Sequence, residues 1–338
     1  MMRCMELAKN GLGTTYPNPL VGSVIVYKDI IIGEGWHKQS GLPHAEVNAI
    51  KSVSDLSLLK DATIYVNLEP CSHFGKTPPC ANLIIEKGIK NVVIGSLDPN
   101  PAVAGNGIKK LKEAGCNVVE EVLKTECDEL NKRFFNYHIH RKPYIILKWA
   151  ETLDGFIAPE KRENKSPVWI TNKQSRQLVH KWRAEEQAIL VGTQTVLDDN
   201  PSLSARDWQG KSPIRVVLDR SLKIPEKASV LDGSMNTIII TEKEEDSHEN
   251  LSYETIDFSK DISSQISDLL YRYKIQSVII EGGAKTINTF IDANLWDEAR
   301  VFTGNSIFRE GTKAPILSRK TVLEEKIKED TLRIYKND

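Results

Sequence analysis

Two hydrophobic patterns alternate along the N-terminal part of the chain. Short apolar runs rich in Val and Ile are typical of buried strands, and they predict strands at residues 21–27, 30–35, 62–68, 91–96 and 117–119. Apolar residues spaced three and four positions apart predict helices at residues 2–10, 44–51, 81–87, 107–114 and 120–141. Because strands and helices alternate, we expect an α/β domain.

A second α/β pattern begins after Pro143, which is expected to end the preceding helix because proline lacks a backbone N–H. Strands are predicted at residues 144–149, 188–191, 214–218, 237–241 and 277–281, and helices at 173–184, 262–273 and 284–293. This order indicates a largely parallel sheet. A length of 338 residues suggests about two domains, which we place at residues 1–142 and 143–338.

The composition excludes several classes of protein. The formal net charge is −1, which gives no electrostatic reason to expect a nucleic acid or a membrane surface as partner. The cysteines number five, too few for the disulfide framework of a secreted protein. No apolar run approaches the ~20 residues of a membrane span. We therefore expect a cytoplasmic enzyme.

Candidate metal ligands lie in two short motifs, Pro43-His44-Ala45-Glu46 and Glu69-Pro70-Cys71, the latter followed by Cys80. One imidazole and two thiolates suit zinc, and three protein ligands leave a position for water. Glu46 lies two residues after His44 and can carry the proton of that water. The pattern predicts His44, Cys71 and Cys80 as zinc ligands and Glu46 as the catalytic acid and base.

The spacing of the two cysteines separates this chain from the zinc-dependent base deaminases, in which two residues lie between them. Here eight residues do so, and the added loop can present His73 and Lys76 over the metal. Two other interpretations of His73 stay open: a fourth zinc ligand and a loop residue exposed to water. A purely structural zinc site is a further alternative.

A nucleotide site is indicated where the apolar run 277–281 ends in Glu281-Gly282-Gly283. A glycine pair between a strand and a helix lets backbone N–H groups approach a pyrophosphate. The alternative is an ordinary tight turn. The segment does not have the G-x-G-x-x-G spacing of a dinucleotide-binding fingerprint.

Taken together, these motifs resemble the bifunctional riboflavin-biosynthesis deaminase/reductase family. In the first half the resemblance rests on the segments 15–22, 43–47, 69–80 and 98–101, and the gap between Cys71 and Cys80 is the family's own. In the second half it rests on Lys148 and on the segments 152–155, 169–171, 195–201 and 281–283. The resemblance implies a cytidine-deaminase-like three-layer domain followed by a domain similar to dihydrofolate reductase.

The resemblance also implies two consecutive reactions. The first is hydrolytic deamination of 2,5-diamino-6-ribosylamino-4(3H)-pyrimidinone 5′-phosphate, which uses one zinc ion per chain. The second is reduction of the ribosyl side chain by NADPH, for which Lys148, Asp199 and Glu281 are candidate proton donors. The implied partner is a small phosphorylated pyrimidine, with no nucleic acid and no membrane, and we expect a homo-oligomer.

Residue by residue, the resemblance assigns further side chains. Those expected to bind the deaminase substrate are Asn18, His37, His73, Lys76, Asp98 and Asn100. Those expected to bind the reductase substrate are Lys148, Arg183, Leu203, Arg206 and Glu281. Those expected at the cofactor are Glu151, Trp169, Thr195, Asp199, Arg220, Gly283, Ala284, Lys285, Thr286, Ile287, Asn288 and Thr289.

Three positions depart from the family pattern. Glu151 places an acidic side chain where small residues are usual, and it would repel a phosphate unless it pointed away. Pro167 stands where the family tends to carry a serine, which puts one substrate contact in doubt. Arg220 replaces a small polar residue, and we hypothesise that it binds the 2′-phosphate of NADPH.

Three rival interpretations stay open at this point. One is a nucleic-acid deaminase with an added binding module, against which the near-neutral charge argues. Another is a zinc-stabilised regulatory protein that senses NADPH without reducing a substrate, against which Glu46 argues. The third is an enzyme in which only one half is active.

Overall fold

The computed structural model describes residues 1–72, 78–100, 104–161 and 168–337. They fall into two compact units, Met1–Arg141 and Lys142–Asp338. Each unit is a sheet covered by helices, and the strands of both are the Val- and Ile-rich runs that bury well in a sheet.

The first unit is built on a mixed sheet of five described strands with the order β2-β1-β3-β4-β5. Strands β1 and β2 form an antiparallel hairpin, β1 also pairs antiparallel with β3, and β3, β4 and β5 are parallel. The strands are β1 (Gly22–Tyr27), β2 (Ile30–Trp36), β3 (Thr63–Leu68), β4 (Asn91–Ser96) and β5 (Asn117–Val119). The helices are α1 (Met2–Lys9), α2 (Ala45–Ser52), α3 (Cys80–Glu86), α4 (Asn106–Glu113), α5 (Lys124–Leu130) and α6 (Lys132–His140), with a 3₁₀ helix at Leu56–Asp61.

The prediction of one helix over residues 120–141 is wrong, because α5 and α6 are separate helices that meet at Asn131. The buried side chain of Asn131 reaches back to the loop before β1, where it accepts from the N–H of Leu20 and donates to the Leu20 carbonyl. An amide that bonds distant backbone in this way favours a helix end over a helix interior.

The second unit is built on a sheet of nine described strands with the order β11-β10-β9-β8-β12-β6-β13-β16-β15. All neighbours from β11 to β13 are parallel, and β16 and β15 continue the sheet antiparallel. Its strands are β6 (Tyr144–Glu151), β8 (Ala188–Gly192), β9 (Ile214–Leu218), β10 (Thr237–Thr241), β11 (Leu251–Thr255), β12 (Ser277–Glu281), β13 (Glu298–Thr303), β15 (Thr321–Ile327) and β16 (Asp330–Lys336). Two further strands, β7 (Phe156–Pro159) and β14 (Gly311–Lys313), pair antiparallel with each other in a separate small sheet. The helices are α7 (Lys173–Glu185), α8 (Thr193–Asp199), α9 (Ile262–Arg272) and α10 (Ala284–Asp292), with a 3₁₀ helix at Ser229–Leu231.

Both faces of the central strands of the second sheet are buried. Successive residues of β12 point to opposite faces, so Val278 and Ile280 join one hydrophobic cluster and Ile279 joins the other. A strand buried on both sides reads as a continuous apolar run, as this one does. Parallel pairing brings the carboxyl ends of β6 and β12 to one edge of the sheet, where Glu281 lies in register with Lys148.

Candidate active sites

The predicted zinc ligands come together at the start of two helices of the first unit. His44 is the residue before α2, Cys80 is the first residue of α3, and Cys71 follows β3. The Nδ1 atom of His44 lies 3.6 Å from Cys71 Sγ and 3.4 Å from Cys80 Sγ. Zinc with bonds of about 2.0–2.1 Å to nitrogen and 2.3 Å to sulfur would separate N and S by about 3.5 Å in a tetrahedron. The three side chains therefore fit a zinc ion.

Electrostatics at the start of α3 favour a thiolate. The backbone N–H of Cys80 donates to Cys71 Sγ over 3.3 Å. A hydrogen bond from the Cys80 thiol, aided by His44, lowers the pKa of Cys71 to about 4. The same contact, together with burial, raises the pKa of Cys80.

Glu46 is buried in the first turn of α2 beside these ligands. Its Oε2 atom has no hydrogen-bond partner among the described residues. Burial, with a smaller contribution from the charge of Cys71, raises the pKa of Glu46 to about 7. A buried carboxyl oxygen without a partner is costly unless the site uses it, so Glu46 is the group best placed for proton transfer.

A hydrogen-bonded chain joins the metal ligands to the loop before β1. His37 is buried, and its Nδ1 donates to the carbonyl of Pro43 at 3.2 Å, which leaves Nε2 to accept from the Asn18 side chain at 3.0 Å. Burial lowers the pKa of His37, in keeping with this neutral form. The ring of His37 also packs edge-on against that of His44, with centroids 5.3 Å apart. Asn18 and His37 thus lie beside the zinc ligands.

The reductase candidates Arg183, Lys148 and Glu281 form an ion cluster at the carboxyl edge of the second sheet. Arg183, on α7, donates to both oxygens of Glu281 at 2.9 and 3.4 Å, and Lys148 Nζ lies 3.7 Å from Glu281 Oε2. Burial alone would raise the pKa of Glu281, but the charges of Arg183 and Lys148 lower it to about 2. Burial lowers the pKa of Lys148.

The loop that carries Leu203 is held from two sides. Leu203 is buried with a left-handed backbone, φ 57°. Arg215 Nε donates to the carbonyl of Ser202 at 3.0 Å, and the carbonyl of Ser204 lies 3.0 Å from His180 Nδ1 and 3.3 Å from Arg183 NH1. A leucine with positive φ persists where its surroundings impose it, and these contacts on both flanking carbonyls do so.

The glycine pair has different roles at its two positions. Gly282 has φ 102°, and a Cβ there would overlap with Thr195 Oγ1. Gly283 has φ −69° and precedes α10, and its N–H donates to Thr195 Oγ1 at 3.1 Å. The hydroxyl of Thr195 therefore joins α8 to the turn before α10. The first N–H groups of a helix such as α10 lack partners within the helix, and groups of this kind can bind an anion.

Comparisons with known proteins decide the family. Residues 1–96 match the family model described as the cytidine and deoxycytidylate deaminase zinc-binding region, and residues 143–329 match the RibD C-terminal domain. The riboflavin biosynthesis protein RibD of Aquifex aeolicus is 40% identical over 329 residues, covering 96% of this chain and 91% of that protein. The chain belongs to the RibD family.

Other RibD proteins agree with this assignment. The Bacillus amyloliquefaciens protein is 43% identical over 326 residues, covering 94% of this chain and 86% of that one. The crystal structure of a diaminohydroxyphosphoribosylaminopyrimidine deaminase/5-amino-6-(5-phosphoribosylamino)uracil reductase from Thermotoga maritima is 40% identical with a TM-score of 0.90, covering 99% of this chain and 97% of that one. Acinetobacter baumannii RibD is 31% identical with a TM-score of 0.88 over the same shares.

Family membership confirms the expected combination of a cytidine-deaminase-like domain with a reductase domain of the dihydrofolate-reductase type. It also confirms the prediction of a bifunctional deaminase and reductase of riboflavin biosynthesis. Zinc and NADPH are implied for RibD proteins as a family. Among the described residues, each helix is too short or too polar to cross a bilayer.

The remaining predicted site residues of this RibD chain have individual positions. His73, Lys76 and Pro167 lie outside the described residues. Asp98 and Asn100 follow β4, where the Asp98 carboxylate accepts from the N–H of Asn100 at 2.8 Å. Arg206 is exposed on the loop after α8 and donates to Ser202 Oγ at 3.1 Å. Asp199 ends α8, and residues 284–289 form the first turns of α10.

Two departures from the RibD pattern have a structural explanation. Glu151 accepts from Trp149 Nε1 at 2.9 Å and from Thr303 Oγ1 at 3.4 Å, so its carboxylate is bound within the sheet. Arg220 is 62% exposed and donates to Glu242 at 2.7 Å. A phosphate at Arg220 would have to compete with that surface ion pair, which is a weak interaction.

Trp169 is exposed, with the Arg176 guanidinium 4.3 Å from its ring centre.

Sequence reasoning missed several residues that hold these sites in place. Asn67 accepts from the N–H of Gly22 and donates to the Leu20 carbonyl, and Asn48 donates to the Pro43 carbonyl. Glu69 and His180 likewise bond backbone groups of the two sites. Their partners are main-chain atoms, most of them distant in sequence, which no side-chain motif reveals. The position of Glu69 within the motif segment 69–80 was the one available signal.

Proposed function

We propose that residues 1–142 deaminate 2,5-diamino-6-ribosylamino-4(3H)-pyrimidinone 5′-phosphate and that residues 143–338 reduce the product with NADPH to 5-amino-6-(5-phosphoribitylamino)uracil. The observation that carries the proposal is the set His44, Cys71 and Cys80 with the unpartnered Glu46 Oε2 beside it. A structural metal site has no use for such a carboxyl group. The similar protein from Thermotoga maritima is a diaminohydroxyphosphoribosylaminopyrimidine deaminase, which supports the substrate class.

In the deaminase reaction, Glu46 is the proton carrier. Zinc held by His44, Cys71 and Cys80 would make water acidic near neutral pH. Glu46 Oε2 accepts a proton there and returns it to the amino nitrogen that leaves as ammonia. Burial, which raises the pKa of Glu46, suits a group that must both accept and release a proton. The water adds its oxygen to the ring carbon from which ammonia departs.

The pyrimidine and its ribose phosphate would bind beside the zinc ligands. Asn18 and His37 lie in one hydrogen-bonded chain with Pro43, and Asp98 and Asn100 lie in one turn after β4. With His73 and Lys76 on the loop between the cysteines, these residues form the proposed substrate set. Their amide, imidazole and ammonium groups complement the polar edges of a pyrimidine and the charge of a phosphate.

In the reductase reaction, the ion cluster of Arg183, Lys148 and Glu281 indicates which charged residue donates the proton. Bound NADPH would supply a hydride to C1′ of the ring-opened imine, and the imine nitrogen would take up a proton. Glu281, with a pKa of about 2, holds no proton to give at neutral pH. Lys148, whose pKa burial lowers, is the better acid, so we assign it the proton. Arg183, Leu203 and Arg206 would position the substrate, and arginine suits its phosphate.

The proposed cofactor site contains the turn from Gly283 to Thr289, with Thr195 and Asp199 on α8. Trp169, Glu151 and Arg220 belong to the same proposal, with Arg220 at the 2′-phosphate. The Glu151 carboxylate accepts a hydrogen bond within the sheet. This supports the view that a cofactor phosphate can bind nearby without being repelled by it. A homo-oligomer and a cytoplasmic location, the latter resting on the cysteine content, complete the proposal.

The test is consumption of NADPH by the purified protein given the diaminopyrimidine ribosyl phosphate, with and without removal of zinc. We expect oxidation of NADPH that needs zinc, because the reductase must wait for deaminated product. Addition of that product to the zinc-free protein should restore oxidation. Ammonia release without NADPH oxidation would refute the reductase assignment, and oxidation that continues on the first substrate without zinc would refute the order of the two reactions.

A further inference from the structure

We infer that Glu69 is a positioning residue of the deaminase reaction, which orients the turn at Asp98 and Asn100 relative to the metal ligands. The inference rests on the proposed function, because it takes Asp98 and Asn100 as substrate contacts. In the described part of the chain, the Glu69 carboxylate bonds backbone N–H groups and none of the three predicted ligands. It acts through backbone groups of the segment after β4.

The carboxylate of Glu69 accepts hydrogen bonds from four backbone N–H groups. Oε2 accepts from Asp98 at 3.3 Å and from Gly105 at 2.9 Å, and Oε1 accepts from Gly107 at 2.8 Å and from Ile108 at 3.3 Å. The Glu69 side chain is buried, with 4% exposure. A buried carboxylate on four donors has one well-defined position, and so do the donors.

Three of the four donors belong to the start of α4, whose first N–H groups have no partner within the helix. The residue before α4 is Gly105, which has no side chain to cap them. Glu69, from a distant part of the chain, takes the place of the missing cap. Its negative charge also lies at the favourable end of the helix dipole.

The fourth donor connects this cap to the proposed substrate contacts. The N–H of Asp98 donates to Glu69, and the Asp98 carboxylate accepts from the N–H of Asn100 at 2.8 Å. The backbone of Glu69 bonds the same segment, since its N–H donates to the Ser96 carbonyl at 2.9 Å. A change at Glu69 therefore reaches Asn100 through consecutive hydrogen bonds.

The distance from this network to the metal ligands is short. Cys71 lies two residues after Glu69, and α4 packs so closely on the intervening residue that a Cβ on Gly107 would overlap with the Pro70 carbonyl. Glu69 thus fixes α4 and the Asp98 turn against the chain segment that carries Cys71. This arrangement sets the distance between the proposed substrate contacts and the zinc ligands.

Glu69→Gln is the first variant, because the amide has the size of the carboxyl group but turns an N–H₂ group toward two N–H donors. We expect the KM for the diaminopyrimidine substrate to rise about tenfold with a smaller fall in kcat, in line with a loss of one to two hydrogen bonds. Zinc content should stay at one ion per chain. Reduction of added deaminated product should be unchanged.

Two further variants complete the experiment. Glu69→Asp keeps the charge but shortens the reach, and it should raise the KM less than Glu69→Gln. Asp55→Asn is the control, since Asp55 caps the 3₁₀ helix Leu56–Asp61 by accepting from the N–H of Ser57 at 3.0 Å. It removes a carboxylate cap elsewhere in the same unit and should leave the KM unchanged.

An unchanged KM in Glu69→Gln would overturn the inference, even if the variant unfolds at a lower temperature, because that is the signature of a structural role alone. Loss of zinc with loss of activity would also overturn it, because Glu69 would then act on the ligands. A wild-type protein that does not deaminate this substrate would refute the proposed function instead.

Discussion

Gly282→Ala tests whether the turn before α10 is built for glycine, and Gly283→Ala is its matched control. At position 282 an alanine must adopt φ 102° and overlap with Thr195 Oγ1. At position 283 the backbone has φ −69°. A Cβ there would have Thr195 Oγ1 as its nearest neighbour, at an ordinary 3.8 Å. Alanine should therefore lower the stability of the unit at position 282 and leave it nearly unchanged at position 283.

The expected magnitude follows from two costs. A non-glycine residue in so sparsely populated a backbone region costs about 1–3 kcal/mol. Forcing a methyl group against Thr195 costs about 1–3 kcal/mol more. We expect Gly282→Ala to lose about 3 kcal/mol of the free energy of unfolding, which in a unit of this size lowers the Tm by roughly 6–12 °C. Gly283→Ala should change the Tm by less than about 2 °C.

Thermal unfolding followed by tryptophan fluorescence is a suitable assay. Five of the six tryptophans (Trp149, Trp169, Trp182, Trp208 and Trp296) lie in the second unit, so the signal reports mainly on that unit. The deaminase rate serves as an internal control and should not change. Adding Thr195→Ala to Gly282→Ala should recover part of the loss, since it removes the overlapping hydroxyl but not the backbone strain.

Equal Tm values for the two alanine variants would refute this reasoning. So would full recovery by Thr195→Ala, because the backbone cost at position 282 would then be absent. A Gly283→Ala variant that is stable but binds NADPH weakly would agree with both the structure and the proposed cofactor site, because its new methyl group would obstruct only an approaching ligand.

Three other predictions concern single side chains. Glu46→Gln should retain zinc but lose deaminase activity by about 10²–10⁴-fold, and full turnover measured as ammonia release would remove Glu46 from the mechanism. Glu281→Gln should unfold with about 3–5 kcal/mol less free energy at pH 7. The pKa of Glu281 is lowered to about 2 from 4.5, so its contribution to the free energy of unfolding is present above pH 4.5 and is lost as the pH falls toward 2. Denaturant titrations of the variant and the wild type should therefore give the same stability near pH 2. A stability difference that stays constant with pH would contradict this. His180→Leu removes a hydrogen bond to the Ser204 carbonyl and should raise the reductase KM about 3- to 10-fold. His180→Asn places an amide N–H₂ group near the position of Nδ1 and should bring the KM most of the way back to the wild-type value. Equal KM values for the two variants would exclude that hydrogen bond as the cause.

The strands and helices that sequence predicted well are those whose pattern is local. Ile214–Leu218 and Ser277–Glu281 are apolar runs buried on both faces, and the prediction matched their bounds. Strand β13 was missed because Glu298 and Arg300 interrupt its apolar pattern. Both are buried, and Arg300 Nε donates to Glu298 Oε1 at 2.6 Å. From the sequence alone, charged residues are expected to be exposed, so a buried ion pair hides a strand from prediction.

Strand β15 was missed for the opposite reason. Nearly all of its side chains are exposed, and it is a strand because its backbone pairs antiparallel with β16. No residue preference reveals a pairing of this kind.

In the functional sites too, features with a local sequence pattern could be predicted and features that depend on distant partners could not. Motif spacing was enough to predict that His44, Cys71 and Cys80 come together, because metal ligands need particular side chains at particular positions. The role of Glu69 could not be predicted, since its partners are backbone N–H groups 29 to 39 residues away. The ion cluster of Arg183 and Glu281 joins residues 98 positions apart, and the packing of α7 on the sheet brings them together.

The carbonyl of Pro43 accepts from both His37 Nδ1 and Asn48 Nδ2, and the next residue is the ligand His44. The chain before this ligand is therefore fixed by groups that do not depend on metal. A frame of one nitrogen and two sulfur ligands, set in advance at tetrahedral spacing, favours ions that accept such donors over ions such as Mg²⁺, which require six oxygen ligands. We therefore expect discrimination between metals at this site to depend on the two hydrogen bonds to the Pro43 carbonyl as well as on the predicted ligands themselves.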